Sequence, residues 1–303
     1  MQVGIVGLGR MGANIARRLA RADIRVVGFD VDPSACVPLA GEPGFEPAYS
    51  IDALLLALKG PRIVWSMLPS GEPTARLLDH LAATLAPGDR VVDGANGHYR
   101  EAMARAPRLA ALEIGFVDAG VSGGVWGLEN GYSLMLGGAE ADVAALERVF
   151  RALAPHPGQW LRCGPPGAGH FVKMIHNGIE YGLMQAYAEG FALMQGHPDF
   201  DLDLEAIAGT WLQGSVVRSW LLELTRDFLG DAKSLSETAP VVADSGEGRW
   251  TAQEAIDRGI PAPVISAALM QRFASQGRDD FSARVLALMR NRFGGHAIPK
   301  EKP

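Results

Sequence analysis

Short apolar runs alternate with amphipathic stretches through the first half of the chain. Runs rich in Val, Ile and Phe predict strands at 3–6, 25–29, 62–68, 90–94, 115–120 and 132–138. The periodicity of apolar residues predicts helices at 11–22, 51–58, 73–85, 100–112 and 139–155. Strands that alternate with helices form βαβ units, so we expect a parallel sheet covered on both faces.

The pattern changes at the Gly- and Pro-rich segment CGPPGAGH, residues 163–170. Beyond it the periodicity is helical almost throughout, at 169–196, 201–222, 249–259 and 263–292. We therefore predict an α/β fold with a Rossmann-type doubly wound parallel sheet over 1–163, which binds a dinucleotide. An all-α C-terminal domain over 164–303 is predicted to serve substrate binding and oligomerisation.

Composition narrows the functional classes. The chain has 303 residues, enough for two domains, and its formal net charge of −6 argues against non-specific nucleic-acid binding. Its two cysteines, Cys36 and Cys163, lie far apart without CxxC or HxxxH companions, so neither a structural disulfide nor a zinc site is expected. No apolar stretch is long enough to span a bilayer, and the N-terminus lacks signal-peptide features. A cytoplasmic protein with no membrane or nucleic-acid partner is expected.

A glycine-rich turn follows the first predicted strand. The stretch VGIVGLGRMGANIARRLARADIRVVGFD holds Gly7, Gly9 and Gly12 in a GxGxxG pattern, and its second strand ends at Asp30. In such turns the first glycine makes the tight turn and the second lets the backbone approach a pyrophosphate. The third permits close packing of helix on strand. We predict a dinucleotide site here rather than an ordinary structural turn.

Asp30 indicates which dinucleotide binds. A carboxylate at the end of the second strand accepts hydrogen bonds from the ribose 2′- and 3′-hydroxyl groups and repels a 2′-phosphate. Asp32 adds a second negative charge, and the sequence FDVDP has no arginine to receive a phosphate. NAD is therefore favoured over NADP. The alternative role for Asp30 is to cap a turn.

The segment GHFVKMIHNGIEYGLMQAYAEGF, residues 169–191, carries a polar stripe on a mostly apolar helix. The stripe falls within an arc of about 140° and consists of Lys173, His176, Asn177, Glu180 and Tyr181. A helix that is apolar around most of its circumference is packed on several sides, so the stripe faces a cavity or an internal network. We predict a catalytic edge. The alternative is a structural ion-pair network, such as Lys173 with Glu180 or His176.

Several motifs together resemble the family of decarboxylating 6-phosphogluconate dehydrogenases. They are GLGRMG (7–12), MLPSG (67–71), DGANGHY (93–99), DAGVSGGVWGLENGYSLMLGG (118–138), KMIHNGIEYGLMQAYAEGF (173–191) and GRWTAQEAIDRGIPAP (248–263). The likeness covers nearly the whole chain, which is similar to the short-chain, NAD-linked branch of the β-hydroxyacid dehydrogenase superfamily. It implies oxidative decarboxylation of 6-phosphogluconate to ribulose 5-phosphate, CO2 and NADH, in the pentose phosphate pathway and gluconate utilisation.

The resemblance implies a role for each matching residue. Lys173 is expected to be the general base and Glu180 the general acid, and the catalytic residues His176 and Asn177 are expected to hold the sugar acid. The implied substrate-binding residues are Asn96, Ser122, Gly123, Gly124, Tyr181, Arg272, Arg290 and His296. The implied cofactor-binding residues are Gly7, Leu8, Gly9, Arg10, Met11, Gly12, Asp30, Met67, Leu68 and Asn96. No metal is implied, because Lys173 can polarise the carbonyl.

The phosphate end of the site departs from the family. The resemblance assigns the phosphate to Tyr181 and Arg272, but in DSGEGRWT Ser245 replaces a phosphate-binding lysine, for which Arg249 could compensate. The tail RNRFGGH (290–296) is similar to a family tail that reaches the neighbouring subunit's site, through Arg290 and His296. AALMQRF and ARVLALMRNRF are strongly apolar on one side, so a homodimer or homotetramer is predicted.

The chemistry agrees with these roles. A lysine removes a hydroxyl proton only when it is neutral, which burial beside apolar neighbours favours. Once protonated, it stabilises the enolate that forms as CO2 leaves, and Glu180 then protonates carbon. Two helical turns separate the Cα atoms of Lys173 and Glu180 by about 10 Å, which leaves room for a substrate carbon chain.

Two alternatives stay open. A related β-hydroxyacid dehydrogenase acts on another small 3-hydroxy acid, but such enzymes usually follow the lysine with an NN pair, where this chain has HNGIEY. A catalytically inactive nicotinamide-binding regulator should have lost Lys173 or Glu180, and both are present.

Overall fold

A computed structural model of the chain describes residues 1–278, 280–294 and 297. They form two compact units, Met1–Met174 and a second that begins at Ile175. Within the described ranges no helix is long and apolar enough to cross a membrane. The same residues contain no group of three His, Cys, Asp or Glu side chains that could hold a metal ion.

The first unit is built on an eight-stranded sheet with the spatial order β3-β2-β1-β4-β5-β6-β7-β8. The strands are β1 Gln2–Val6, β2 Arg25–Phe29, β3 Phe45–Pro47, β4 Ile63–Ser66, β5 Arg90–Asp93, β6 Gly115–Ser122, β7 Ser133–Gly138 and β8 Trp160–Gly164. Neighbouring strands are parallel except β6 and β7, which are antiparallel. The segment between β6 and β7 is too short for a parallel crossover, so the chain turns back on itself. The Rossmann-type prediction is confirmed, with β7 as the exception to a fully parallel sheet.

Apolar clusters lie on both faces of this sheet, beneath the helices. The helices are α1 Arg10–Arg21, α2 Ile51–Ala57, α3 Glu72–Thr84, α4 Tyr99–Ala110, α5 Gly127–Asn130, α6 Glu140–Ala145 and α7 Glu147–Leu153, with 3-10 turns at Pro33–Leu39 and Gly124–Trp126. Successive residues of a strand enter different clusters: Val26 joins the cluster of Trp65 and Phe150, and Val27 joins that of Leu54 and Leu81. Strands buried on both faces appear in the sequence as continuous apolar runs, so the apolar pattern predicted these strands.

The helices after the first unit differ from the predictions in their number. They are α8 Ala168–Gln195, which contains the unit boundary, then α9 Leu204–Leu212, α10 Trp220–Leu229, α11 Ala232–Glu237, α12 Glu247–Arg258, α13 Pro263–Ser275 and α14 Asp280–Gly294. The predicted helices 201–222 and 263–292 are each divided, near Gly214 and Gly277, whose φ angles are +116° and +72°. A left-handed backbone at glycine ends a helix. The predicted helix 139–155 is divided at Leu146, without a Gly or Pro to mark the break.

The second unit has a smaller buried core than the first. One cluster joins Tyr181 to Ala252, Ala268 and Leu269, and another surrounds Phe191. Large apolar side chains stay exposed on this unit, among them Ile256, Val264, Phe281 and Leu286.

Candidate active site

The carboxyl ends of the parallel strands gather the predicted cofactor residues of the first unit. Because β1, β2, β4, β5 and β6 run parallel, the segments that follow them lie along one edge of the sheet. That edge carries residues 7–12 after β1, Asp30 after β2, Met67 and Leu68 after β4, Asn96 after β5, and residues 122–124 at the end of β6. In open α/β sheets ligands bind at this edge, where the strand order reverses.

The turn between β1 and α1 leaves its backbone accessible. A Cβ placed on Gly12 would overlap the carbonyl oxygen of Gly7, so helix and strand approach as closely as only glycine permits. Around Gly9 there is open space where a side chain would begin. The first turn of α1 carries no acidic residue. The N–H groups at the start of α1 can therefore receive a pyrophosphate, and the turn fits a dinucleotide.

Asp30 is tied to this turn. Its Oδ2 accepts a hydrogen bond from the Leu8 N–H at 2.6 Å, and its Oδ1 accepts one from the Asp32 N–H at 2.9 Å. Each carboxylate oxygen has two lone-pair sites, so both keep one for a ribose hydroxyl. Hydrogen bonds from the side chain and N–H of Ser34 lower the pKa of Asp32. The loop therefore keeps a second negative charge, which disfavours a 2′-phosphate.

Asn96 lies exposed in the segment after β5. The buried Asp93 accepts a hydrogen bond from the Ala95 N–H at 3.2 Å, and Arg105 Nη1 donates to its other oxygen at 3.2 Å. The backbone that leads to Asn96 is thereby fixed, although the Asn96 side chain is open to solvent.

Two side chains of α1 hold the segment that follows β6. Asn14 Nδ2 donates to the Val125 carbonyl at 3.3 Å, and Arg18 Nη1 donates to the Leu128 carbonyl at 2.7 Å. The Tyr132 ring fills the space that a Cβ on Gly127 would need. Burial raises the pKa of Tyr132 to about 12, and its hydroxyl has no hydrogen-bond partner among the described residues. The helix that begins at the dinucleotide turn therefore also fastens the segment after Ser122.

Lys173 packs against β6, near the end of that strand. A Cβ on Gly120 would overlap the Cβ of Lys173, so only glycine lets α8 approach this closely. Gly169, one helical turn earlier, is packed in the same way against the carbonyl oxygens of Asp118 and Met135. These contacts fix the backbone of the half-buried Lys173 beside the strand that ends at Ser122.

Asp118, buried in the middle of β6, anchors the start of α8. Its two oxygens accept hydrogen bonds from the Gly167 N–H at 2.6 Å and the His170 N–H at 2.8 Å. The His170 Nε2 lies 3.0 Å from the Asp93 carbonyl oxygen. Burial raises the pKa of Asp118, while His170 and the two N–H groups act in the opposite direction. Asp118 therefore links β6 to the helix that carries Lys173.

The other residues of the polar stripe belong to the second unit. His176 Nδ1 lies 3.2 Å from Asn177 Oδ1 and 3.9 Å from Glu180 Oε2. All three side chains are half-buried. A Cβ on Gly178 would lie 2.7 Å from Thr251 Cγ2, so α8 and α12 approach closely at this point. A carboxyl, an imidazole and an amide are thus brought together on one helix.

Tyr181 and Arg272, the predicted phosphate ligands, meet in the second unit. Arg272 Cζ lies 3.4 Å from the Tyr181 ring centroid, and Arg272 Nη1 donates to the Ala243 carbonyl at 2.8 Å. The Tyr181 hydroxyl lies 3.3 Å from Ser245 Oγ. Arg290 is exposed on α14, and His296 lies outside the described residues.

Comparison with known proteins assigns both parts of the chain to one family. A family profile described as the NAD binding domain of 6-phosphogluconate dehydrogenase matches residues 2–164. A second, described as 6-phosphogluconate dehydrogenase, C-terminal domain, matches residues 169–297. The chain belongs to the 6-phosphogluconate dehydrogenase family. The predicted family and the predicted NAD cofactor are both confirmed.

Individual relatives support the same family. The chain is 42% identical over 302 residues to the NAD(+)-dependent, decarboxylating 6-phosphogluconate dehydrogenase of Haloferax volcanii, with 99% of each chain covered. The solved 6-phosphogluconate dehydrogenase of Plasmodium falciparum shares the fold, with a TM-score of 0.84, 24% identity, and coverage of 100% of this chain and 67% of that one. The 3-hydroxyisobutyrate dehydrogenase of Salmonella typhimurium gives a TM-score of 0.74, 27% identity, and coverage of 92% and 95%. The full-length match agrees with the short-chain, NAD-linked branch.

Some residues around the 6-phosphogluconate dehydrogenase motifs were not identified from the sequence. Asp118 and His170 received no role, although a carboxylate in the centre of an apolar strand pattern is a signal that could have been used. Asn14 and Arg18 lie on a helix with ordinary surface spacing, and nothing in the sequence indicates which carbonyl groups they reach. Their roles depend on contacts between segments more than 100 residues apart.

Proposed function

We propose that the chain catalyses NAD-dependent oxidative decarboxylation of 6-phosphogluconate to ribulose 5-phosphate, CO2 and NADH. The observation that carries the proposal is the position of Lys173, packed against Gly120 beside the strand that ends at Ser122. Lys173 is followed by Glu180 on the same helix. Identity of 42% with the Haloferax volcanii enzyme of that name supports the same reaction.

Lys173 begins the reaction as a general base. In its neutral form it accepts the proton of the substrate's 3-hydroxyl group while hydride leaves the same carbon. When bound, NAD supplies the acceptor for that hydride. Asn96 and the segment 122–124, fixed by Asp93 and α1, are assigned to hold the sugar acid at the carboxyl edge of the sheet.

Lys173 next stabilises the loss of CO2. The oxidised substrate is a β-keto acid, and the electron pair of its C1–C2 bond moves toward the 3-carbonyl as CO2 departs. The ammonium of Lys173 returns its proton to that oxygen, which gives a neutral enediol. The positive charge is therefore used where negative charge develops, and no metal is needed for this step.

Glu180 completes the reaction as a general acid. It donates a proton to the carbon that lost CO2, while the enediol hydroxyl returns its proton to Lys173. Transfer of that proton from Lys173 back to Glu180, directly or through solvent, restores both groups. His176, 3.9 Å from the Glu180 carboxylate, is assigned to orient it. The net reaction releases no proton.

A second candidate is an NAD-dependent dehydrogenase of another small 3-hydroxy acid. The likeness to the Salmonella typhimurium 3-hydroxyisobutyrate dehydrogenase favours it, since that enzyme shares the fold over 92% of this chain. The stacked pair of Tyr181 and Arg272 argues for the phosphorylated substrate, because a half-buried guanidinium beside a phenol suits a phosphate. An inactive nicotinamide-binding regulator is the weakest candidate, since the proposed base Lys173 and the proposed acid Glu180 are both present in the chain.

The proposal includes a homodimer or homotetramer in the cytoplasm. The exposed Phe281, Leu286 and Met289 of α14 support assembly, as does the small core of the second unit. Arg290, from the same helix, and His296 are assigned to complete the neighbouring subunit's site. A monomer with full activity at nanomolar concentration in sedimentation experiments would contradict this assembly.

Initial rates test the reaction directly. NADH formation from 6-phosphogluconate is compared with NADPH formation, and CO2 is captured in parallel. We expect NADH and CO2 in equal amounts and a clear preference for NAD. Preference for NADP would contradict the role of Asp30. No rate with either cofactor, together with turnover of a non-phosphorylated 3-hydroxy acid, would favour the second candidate.

A further inference from the structure

The segment between α11 and α12 contains a buried carboxylate on which three donors converge. Asp244, whose side chain is 3% exposed, pairs with Arg249 at 2.6 Å. Its Oδ1 accepts a hydrogen bond from the Gly246 N–H at 3.0 Å and lies 3.5 Å from the Tyr181 hydroxyl. This carboxylate therefore joins the turn before α12 to the aromatic ring on which Arg272 stacks.

Arg249 is held at one edge and open at the other. Its Nε and Nη2 both donate to Asp244 Oδ2, at 3.2 Å and 2.6 Å. Its Nη1 makes no hydrogen bond to any residue that the structure describes. The side chain is 57% exposed, and its Cζ lies 5.4 Å from the Phe273 ring centroid. A guanidinium fixed by a buried carboxylate and an aromatic ring presents its remaining donors in a defined direction.

Two neighbouring charged groups, Glu247 and Arg272, have contacts of their own. The buried Glu247 accepts a hydrogen bond from Ser245 Oγ at 2.6 Å, so that carboxylate is directed to its own turn. Arg272 uses Nη1 for the Ala243 carbonyl and stacks on Tyr181. Arg249 therefore presents an open edge within a group of cations that also includes Arg272 and Arg278, whose Cζ lies 5.4 Å from the same Phe273 ring centroid.

We propose that Arg249, oriented by Asp244, binds the phosphate group of the substrate. Asp244 is the positioning residue, and Arg249 takes the place of the lysine that Ser245 does not provide. The inference rests on the proposed function, because it concerns recognition of 6-phosphogluconate. Guanidinium groups bind phosphate with paired, charge-assisted hydrogen bonds, so an arginine held at one edge suits this task.

The test is calorimetric titration of the full chain, without NAD, with 6-phosphogluconate and with gluconate. Arg249→Met should weaken binding of 6-phosphogluconate by about 10- to 100-fold, the usual effect of lost hydrogen bonds to a charged group. Binding of gluconate, which has no phosphate, should stay at the parent value. Asp244→Asn should weaken 6-phosphogluconate binding less, and the double variant should match Arg249→Met alone, because Asp244 acts through Arg249.

The chain offers a matched control on the same helix. Arg258 pairs with Glu254 at 2.8 Å, with exposures of 62% and 7% that resemble those of Arg249 and Asp244. Arg258→Met should leave both affinities at the parent values. If Asp244→Asn does not fold, Arg249→Lys is tested in its place. Lysine keeps the positive charge but lacks the paired N–H donors of a guanidinium, so affinity for 6-phosphogluconate should be intermediate.

Failure of this inference differs from failure of the proposed function. Parent affinity for 6-phosphogluconate in Arg249→Met, or an equal loss for both ligands, would overturn the role of Arg249 while turnover by the parent stands. A parent that binds 6-phosphogluconate through Arg249 but forms no NADH from it would overturn the proposed reaction and support the inference. A parent with no affinity for 6-phosphogluconate would overturn both.

Discussion

The two ends of the polar stripe on α8 are held by different kinds of contact. Around Lys173, α8 packs directly on β6: the Lys173 side chain lies against Gly120, and Gly169 lies against the carbonyl oxygens of Asp118 and Met135. Around Tyr181 the contacts are made by charged side chains, with Arg272 stacked on its ring and Asp244 near its hydroxyl. The proposed base is thus placed by packing that tolerates no added atom. The far end of the substrate is assigned to polar and charged side chains, so the first region should control rate and the second affinity.

Lys173→Met should have the largest effect. Methionine occupies a similar space but accepts no proton, so kcat should fall by about 10²- to 10⁴-fold. NAD affinity, measured by fluorescence titration, should stay near the parent value because the residues of the dinucleotide turn are unchanged. A variant that keeps its turnover would contradict the assignment of the base.

Gly120→Ala tests whether packing places that base. The added methyl group collides with Lys173 Cβ, so stability should fall by about 1–3 kcal/mol and kcat by about 10²-fold. Gly190→Ala on α8, the helix that carries Lys173, is the control, since a Cβ there meets nothing within 4 Å. It should keep the parent kcat and gain up to about 1 kcal/mol. Denaturant unfolding and steady-state kinetics measure both, and a destabilised Gly120 variant with parent kcat would refute the idea.

Arg272→Met examines the other region. Loss of the guanidinium over Tyr181 should raise KM for 6-phosphogluconate by about tenfold, a change of about 1.4 kcal/mol, with a smaller change in kcat. Steady-state rates over a range of 6-phosphogluconate concentrations give kcat and KM separately, and gluconate serves as the substrate without a phosphate. A fall in kcat with KM unchanged would show that the side-chain region also controls rate.

Tyr132→Phe should have the smallest effect at neutral pH, because the lost hydroxyl has no hydrogen-bond partner among the described residues. The folded pKa of Tyr132 is about 12, above about 10 for an unfolded tyrosine. The unfolded state therefore loses this proton first, and the stabilisation present below pH 10 declines as pH rises through the folded pKa. The Phe variant lacks this decline, so urea unfolding at pH 9 to 11 should show its stability falling less than the parent's. Identical pH dependence in both proteins would contradict the role of burial.

The sequence predicted the parts of the site that a local motif determines. The glycine turn of residues 7–12 and the place of Asp30 after β2 could be predicted because one strand, turn and helix determine them. The helix breaks near Gly214 and Gly277 were missed, because apolar periodicity continues on both sides of each glycine. Asp118 was missed because its partners, Gly167 and His170, lie 49 and 52 positions away in the chain. The antiparallel β7 was missed because a strand pattern carries no direction.

The division of proton transfers between Lys173 and Glu180 is tested most directly in a single turnover of Glu180→Gln. Rapid quenching follows NADH, CO2 and ribulose 5-phosphate in parallel. We predict that NADH and CO2 form together at close to the parent rate, while ribulose 5-phosphate appears about 10²-fold more slowly, because the enediol has lost its acid. Formation of all three products at one common rate would contradict the account.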